Sequence, residues 1–185
     1  ARRSDIHVLL LGDPGLGKSE LLNAVNRVAP RSVFVSANSA TVAGLTASLT
    51  IEPGTGEWGL EAGALVIADG GVCCIDELDK TTDHKCMLEA MEQQRVNIAK
   101  AGVVCSLPAR CSVIAAANPV NGHYNTKRPL HENIRLDPAL LSRFDLLFLL
   151  LDRADVQLDR YLSERIVKFQ SSTTPSQNIA PSQSQ

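Results

Sequence analysis

Apolar residues along the chain fall into short unbroken runs separated by segments of helical spacing. Residues 6–11 (IHVLLL) form the first run and predict a strand buried on both faces. A glycine-rich turn follows, then a helix from about Lys18 to Val28. Runs at 32–37 (SVFVSA), 71–75 (GVCCI), 112–117 (SVIAAA) and 145–151 (DLLFLLL) predict four further strands. Strands that do not alternate with polar residues belong to a parallel sheet covered on both sides, so the fold class is α/β with a five-stranded parallel sheet flanked by helices. A last helix is expected over 154–169, with Val156, Leu158, Leu162, Ile166 and Phe169 as its apolar members. The pattern then stops. Residues 170–185 carry no charge, and Ser, Thr, Pro and Gln fill 13 of the 16 positions, which predicts a flexible polar linker or tail after a domain spanning 1–169.

Composition narrows the class only a little. The 185 residues are 44% hydrophobic and 21% charged, ordinary globular usage that excludes a collagen-like or wholly disordered chain. No apolar run approaches the roughly 18 residues needed to span a bilayer, and the apolar run after the first residues is too short for a signal peptide. The net charge of −2 means that any nucleic-acid binding must come from local patches. Five cysteines (Cys73, Cys74, Cys86, Cys105, Cys111) show no C-x-x-C pair and no zinc-ligand spacing. They read as reduced thiols, which fits the cytosol or nucleus.

The candidate chemistry begins where the first strand ends. Gly12-Asp13-Pro14-Gly15-Leu16-Gly17-Lys18-Ser19 is G-x-x-x-x-G-K-[ST] between a buried strand and a helix. Glycines let backbone N–H groups turn inward around phosphates, and the helix N-terminus adds its positive dipole end. Lys18 would reach the β- and γ-phosphates, and Ser19 would take one Mg²⁺ position. A chance match in this length is on the order of one in a hundred, so a plain glycine turn is the weaker reading. The third strand delivers Asp76 and Glu77 to the sheet edge where α/β ligands bind. Asp76 is placed to hold Mg²⁺ through water and Glu77 to activate the attacking water; a strand followed by an acidic helix start would give the same letters. Asp79 and Lys80 are expected to cap and solvate the next turn. Asn118 at the tip of the fourth strand can position water, although Asn-Pro is also a common turn signal. Arg143, just before the last strand, reads either as a surface ion pair or as an arginine finger for a neighbouring subunit.

The ordered set GDPGLGKS, LEAGALVIADGGVCCIDELDK, EAMEQQRVNIAKAG, AAANP and LLSRFD resembles the ATPase core of the minichromosome maintenance (MCM) family of AAA+ helicases. The similarity runs from about Arg3 to Asp152. Within the family, GVVCSLPAR and Gly122-His123-Tyr124-Asn125 are most similar to the eighth eukaryotic paralogue, a recombination and repair branch, whereas GEWGLEAGAL and CCIDE also resemble the ninth. The resemblance implies an AAA+ P-loop NTPase that binds ATP and Mg²⁺ in a hexameric ring, homomeric or mixed with other paralogues such as the ninth. It further implies a nuclear helicase acting on single-stranded or forked DNA in homologous recombination, repair and replication. Lys18, Ser19, Asp76, Glu77 and Asn118 would then act in cis, and Arg143 and Gln93 in trans.

Two insertions go with the family. Residues 95–112 read as a β-hairpin, with Val96 and Ile98, a turn at Lys100-Ala101-Gly102, then Val103, Cys105 and Leu107. The resemblance places Lys100 against DNA in the central channel, as a presensor-1 hairpin. From Gln93 to His131 the chain has five Lys or Arg (Arg95, Lys100, Arg110, Lys127, Arg128) and no carboxylate, a local footprint for phosphate. A hairpin with one solvated lysine is the plain alternative. Residues 42–60 resemble the helix-2 insert, with Gly54 and Gly56 at its turn. Departures from the family pattern are Glu20 for a usual glutamine, Leu78 for phenylalanine and a shorter loop at 81–85; none removes a catalytic group. The family's N-terminal DNA-binding domain and C-terminal helical lid have no counterpart, so the expectation is an ATPase core ending in the linker to the lid. Two other functions fit the same letters: a non-catalytic nucleotide-binding subunit of a mixed ring, and an AAA+ remodeller acting on protein.

Overall fold

The computed structural model describes residues 5–51, 54, 58–81, 84–100, 102–152 and 156–173, and the chain divides into a unit of residues 1–152 and a second of residues 153–185. In the first unit the opening apolar run forms β1 (Val8–Gly12), the glycine turn leads into α1 (Lys18–Val28), and β2 (Ser32–Ser36) follows. A short helix, α2 (Val42–Leu45), is capped by the Thr41 hydroxyl, which accepts the Gly44 N–H at 3.1 Å. It opens an antiparallel hairpin of β3 (Ala47–Ile51) and β4 (Trp58–Ala62). Next come α3 (Ala64–Ile67), β5 (Val72–Asp76), a 3₁₀ turn at Leu78–Lys80 and α4 (His84–Gln93). Gln94, at a left-handed φ of 57°, turns the end of α4 into β6 (Arg95–Lys100), which pairs with β7 (Val103–Pro108). β8 (Ser112–Ala117), α5 (Leu130–Asn133), α6 (Pro138–Leu141) and β9 (Leu146–Leu150) complete the unit.

The five predicted strands form one sheet in the order β2–β5–β8–β1–β9, and every pairing is parallel. All five C-terminal tips therefore lie along one edge, with Ser36 beside Asp76, Leu11 beside Ala117 and Gly12 beside Leu150. Successive side chains alternate between the two faces. Leu9, Leu11, Cys73, Ile75, Val113 and Ala115 join Leu65, Met87, Met91 and Leu140 on one face, while Leu22 of α1 closes over Cys74 and Ala116 on the other. Two adjacent cysteines are thus both buried because the sheet is covered on both sides. Burial pushes the Cys73 thiol well above its ordinary pKa, raises that of Cys74 and lifts that of Cys111 to about 12, so none of these three is a reactive thiolate. None of the five cysteines is joined in a disulfide.

Two expectations need correction. β9 has the apolar run of a doubly buried strand, yet Leu146 to Leu149 remain 38–52% exposed. The strand lies at the sheet's edge, and α1 packs over β2, β5 and β8. In the second unit, α7 (Val156–Thr173) continues four residues past the expected end at Phe169. Adding residues to an existing helix needs no new nucleation, so the polar residues 170–173 can extend it. The remainder of the expected tail, 174–185, lies outside the described residues, as does Ala154. Among the described residues no helix is long and apolar enough to cross a membrane.

Candidate functional site

β1 carries residues 12–19 to the C-terminal edge of the sheet. A Cβ on Gly12 would stand 2.3 Å from the Leu150 carbonyl oxygen, so the loop leaves the sheet through a gap only glycine fits. Gly15 and Gly17 adopt left-handed φ values of 84° and 75°, and Gly17 is the residue from which α1 starts, with no side chain capping it. The free N–H groups of the first helical turn are therefore available to an anion. Lys18, 7% exposed, donates its ammonium to the carbonyl oxygens of Gly12 (2.8 Å) and Asp13 (2.7 Å). Burial lowers its pKa, and the carboxylates of Asp76, Asp13 and Asp79 offset part of that. Pro14, Gly15 and Ser19 are exposed and Leu16 half-buried, so the outer side of the loop is open.

Asp13 links this loop to two others. Its carboxylate accepts the N–H of Tyr124 at 2.8 Å and that of Asp152 at 3.3 Å, with His123 Nδ1 3.8 Å away. Burial alone would raise the Asp13 pKa; the two backbone donors and the imidazole outweigh it and hold the group below its ordinary value. The segment after Asn118 is further pinned by Asn133, which is 4% exposed. Its Oδ1 accepts the Asn125 N–H, and its Nδ2 donates to the carbonyls of Asn125, Arg128 and Pro129. Neither role has a sequence signal, since the partners are loop backbone groups.

The two carboxylates stand at the tip of β5. Asp76 Oδ1 accepts the Glu77 N–H at 2.9 Å, and Glu77 has a left-handed φ of 53°, which costs a non-glycine residue about 1–2 kcal/mol. The Ser36 hydroxyl lies 3.5 Å from Glu77 Oε2. Asn118 follows β8 at the same edge, half-buried, and its N–H donates to Asp79 Oδ1 at 2.9 Å. Asp79 is therefore not solvated as expected: its side chain is 8% exposed and ion-paired to Lys80 at 3.4 Å, and only Lys80 reaches solvent. The structure thus gathers residues 12–19, Asp76, Glu77 and Asn118 on one edge.

Arg143 and Gln93 lie elsewhere. Arg143 precedes β9, whose first residue pairs with Val8 at the start of β1, whereas Gly12 pairs with Leu150 at the far end. One strand length, about 13 Å, separates the two ends. Arg143 Nη2 pairs with Glu92 Oε1 at 3.0 Å, so within its own chain it has the ion pair of the simpler reading. Gln93 is the exposed last residue of α4, next to Glu92. Buried His7 ties this end together: its Nδ1 accepts the Val113 N–H at 3.0 Å, and its Nε2 lies 3.4 Å from the Met91 carbonyl. The fold therefore groups Arg143 with Gln93 and keeps both from their own chain's loop.

Lys100 ends β6, paired with Val103 across a turn whose Gly102 has φ 77°. Val96 and Ile98 are buried and Asn97 and Ala99 exposed, the alternation expected of the hairpin. Arg95, Lys127 and Arg128 are exposed, but Arg110 leaves the basic footprint: it grips Asp69 with two side-chain bonds of 3.0 and 2.8 Å. The segment 42–60 carries α2 and the β3–β4 hairpin; Gly54 has φ 117°, and Gly56 lies outside the described residues.

Comparison with known proteins agrees with this architecture. The family described as the MCM P-loop domain matches residues 1–170. A rat protein named DNA helicase MCM8 is 58% identical over 166 residues, which cover 89% of this chain and 20% of the relative. The human DNA helicase MCM8 is 55% identical over the same length and shares. An Arabidopsis thaliana protein named probable DNA helicase MCM8 is 56% identical over 172 residues, covering 92% of this chain and 22% of the relative. The chain thus spans about a fifth of the length of the curated relatives it matches.

Proposed function

The chain belongs to the MCM family, as its P-loop domain, and on that premise we propose that it is the ATPase motor core of a DNA helicase, hydrolysing ATP at sites shared between neighbouring subunits of a hexameric ring. The observation that carries this reading is the division of the machinery between the two ends of one sheet. Glu77, Asn118 and the loop 12–19 share the C-terminal edge, while Arg143 and Gln93 sit a strand length away, where they face a neighbour's nucleotide more readily than their own.

The loop fits a triphosphate: its left-handed glycines are open on the outer side, and the buried Lys18 ammonium rests on two backbone carbonyls that a phosphate can replace. Lys18 would hold the β- and γ-phosphates, and Ser19 with Asp76 would be the protein's share of a Mg²⁺ shell otherwise made of phosphate and water. Bound Mg²⁺·ATP supplies the transferable phosphoryl group and neutralises its charge. Glu77 orients the attacking water and takes its proton, and Asn118 fixes that water from the adjacent strand tip. Arg143 stabilises charge at the neighbouring site, assisted by Gln93. Lys100, at the end of β6, would grip the DNA backbone and couple turnover to movement along a single strand. The same reading extends to a nuclear enzyme of homologous recombination, repair and replication, in a homo- or heterohexamer with paralogues such as the ninth. Its support is the likeness of residues 102–110 and 122–125 to the eighth paralogue.

Steady-state ATP hydrolysis across a series of protein concentrations, with and without single-stranded DNA, tests the proposal. Turnover per chain should climb steeply with concentration and rise again with DNA. Turnover per chain that ignores both, or that Glu77→Gln leaves intact, would contradict it and favour a subunit that only binds nucleotide.

A further inference from the structure

We propose that Asp79 is a positioning residue that sets the spacing between Glu77 and Asn118; this rests on the hydrolytic reading above. Those two groups must act on one water, yet the sheet itself does not hold them together. The β5–β8 ladder ends at the pair Ile75↔Ala115, before either residue, and Glu77 then departs into a left-handed conformation. The contact that the Ser36 hydroxyl makes with the Glu77 carboxylate is long, at 3.5 Å.

Asp79 supplies the missing link. Its Oδ1 accepts the Asn118 N–H at 2.9 Å, joining segments 39 residues apart just where the ladder stops. The carboxylate is 8% exposed, so this charge-assisted bond is little screened by water. Lys80, 53% exposed and 3.4 Å from the other oxygen, offsets the charge from the solvent side. Leu78, fully buried, anchors the same 3₁₀ turn from the core side, and the Lys80 N–H closes it on the Glu77 carbonyl at 2.9 Å. The turn that carries Glu77 and the tip that carries Asn118 therefore move as one piece. Misplacing a reacting group by about 1 Å can cost roughly 10²-fold in rate, so loss of this bond should act on turnover rather than on nucleotide binding.

Amide hydrogen exchange is read first, because it needs no turnover. Asp79→Ala should speed exchange at Asn118 about 10-fold or more while leaving Ala115 within β8 protected; Asp79→Asn, which keeps an oxygen acceptor, should stay near the parent rate. In hydrolysis, Asp79→Ala should lower kcat roughly 10²-fold with KM for ATP nearly unchanged, and Asp79→Asn should recover most of it. Unchanged exchange at Asn118 in the alanine variant overturns the inference. So does an asparagine variant as impaired as alanine, or a fall in kcat matched by equal weakening of nucleotide binding. If the exchange results hold but parent and Glu77→Gln hydrolyse ATP equally, the hydrolytic reading fails instead.

Discussion

Lys18 is poised between two environments: its ammonium is buried against two backbone carbonyls, with the charges of three carboxylates within reach. Replacing it by alanine removes the one cation in residues 12–19, and nucleotide affinity should fall at least about 10-fold, as a fluorescent-nucleotide titration would show. Gly12 tests the geometry rather than the charge. Gly12→Ala forces a methyl group against the Leu150 carbonyl, and overpacking of this kind should destabilise the fold by about 1–3 kcal/mol, readable as a lower midpoint in thermal or urea unfolding. The motif at 12–19 and the carboxylates at 76–77 were legible because their chemistry needs fixed residue types at fixed spacing after a strand. Asp13 as a link between loops, Asp79 and Asn133 were not. Each binds backbone N–H or C=O groups, and any residue at the partner position presents the same donor or acceptor. Asp79 shows the consequence: an acidic residue in a short polar turn reads as solvated until the fold brings Asn118 over it.

Among the elements, the pair Asp69–Arg110 ties the chain after α3 to the approach to β8. The Arg110 guanidinium and its own backbone N–H together hold the Asp69 carboxyl down at about 2, from an ordinary 3.8. A carboxylate depressed in the folded state adds stability that is fully present above its unfolded pKa and lost as pH falls through the folded one. The contribution should therefore fade between about pH 4 and pH 2, and Asp69→Asn should flatten that part of the acid-unfolding curve. Arg110 is 63% exposed, so salt will weaken the effect. The hairpin at 95–108 was legible from its alternation, whereas β3 and β4 were not, because their outward faces carry exposed apolar residues such as Ile51, Trp58 and Leu60 that blur the period. β9 misled in the opposite sense: an apolar run specifies a strand but not whether it lies at the centre or the edge of a sheet. Lys100→Ala, at the end of β6, should lose most of any DNA-stimulated increment in ATP turnover, measured against the parent at equal concentration.

Over the whole first unit, one parallel sheet sets residues 12–19, Glu77 and Asn118 at one edge, apart from Arg143 and Gln93, the residues proposed to act in trans. The residues alone left that separation open, since Arg143 could equally have been the surface ion pair it makes with Glu92, and only the family resemblance put it in trans. Strand register settles the placement: Val8 lies beside Leu146 and Gly12 beside Leu150, so the arginine turn and the phosphate loop are at opposite ends. An arginine finger is worth roughly 10³–10⁵ in rate, which makes its loss and recovery easy to read. The most direct test mixes Lys18→Ala and Arg143→Ala chains, each inactive alone. If sites are shared, a random mixture of equal parts places an intact loop against an intact arginine at about a quarter of the interfaces, and turnover should return towards that fraction of the parent value. A mixture no more active than either variant alone would contradict shared sites, and with them the account of this domain as a ring motor.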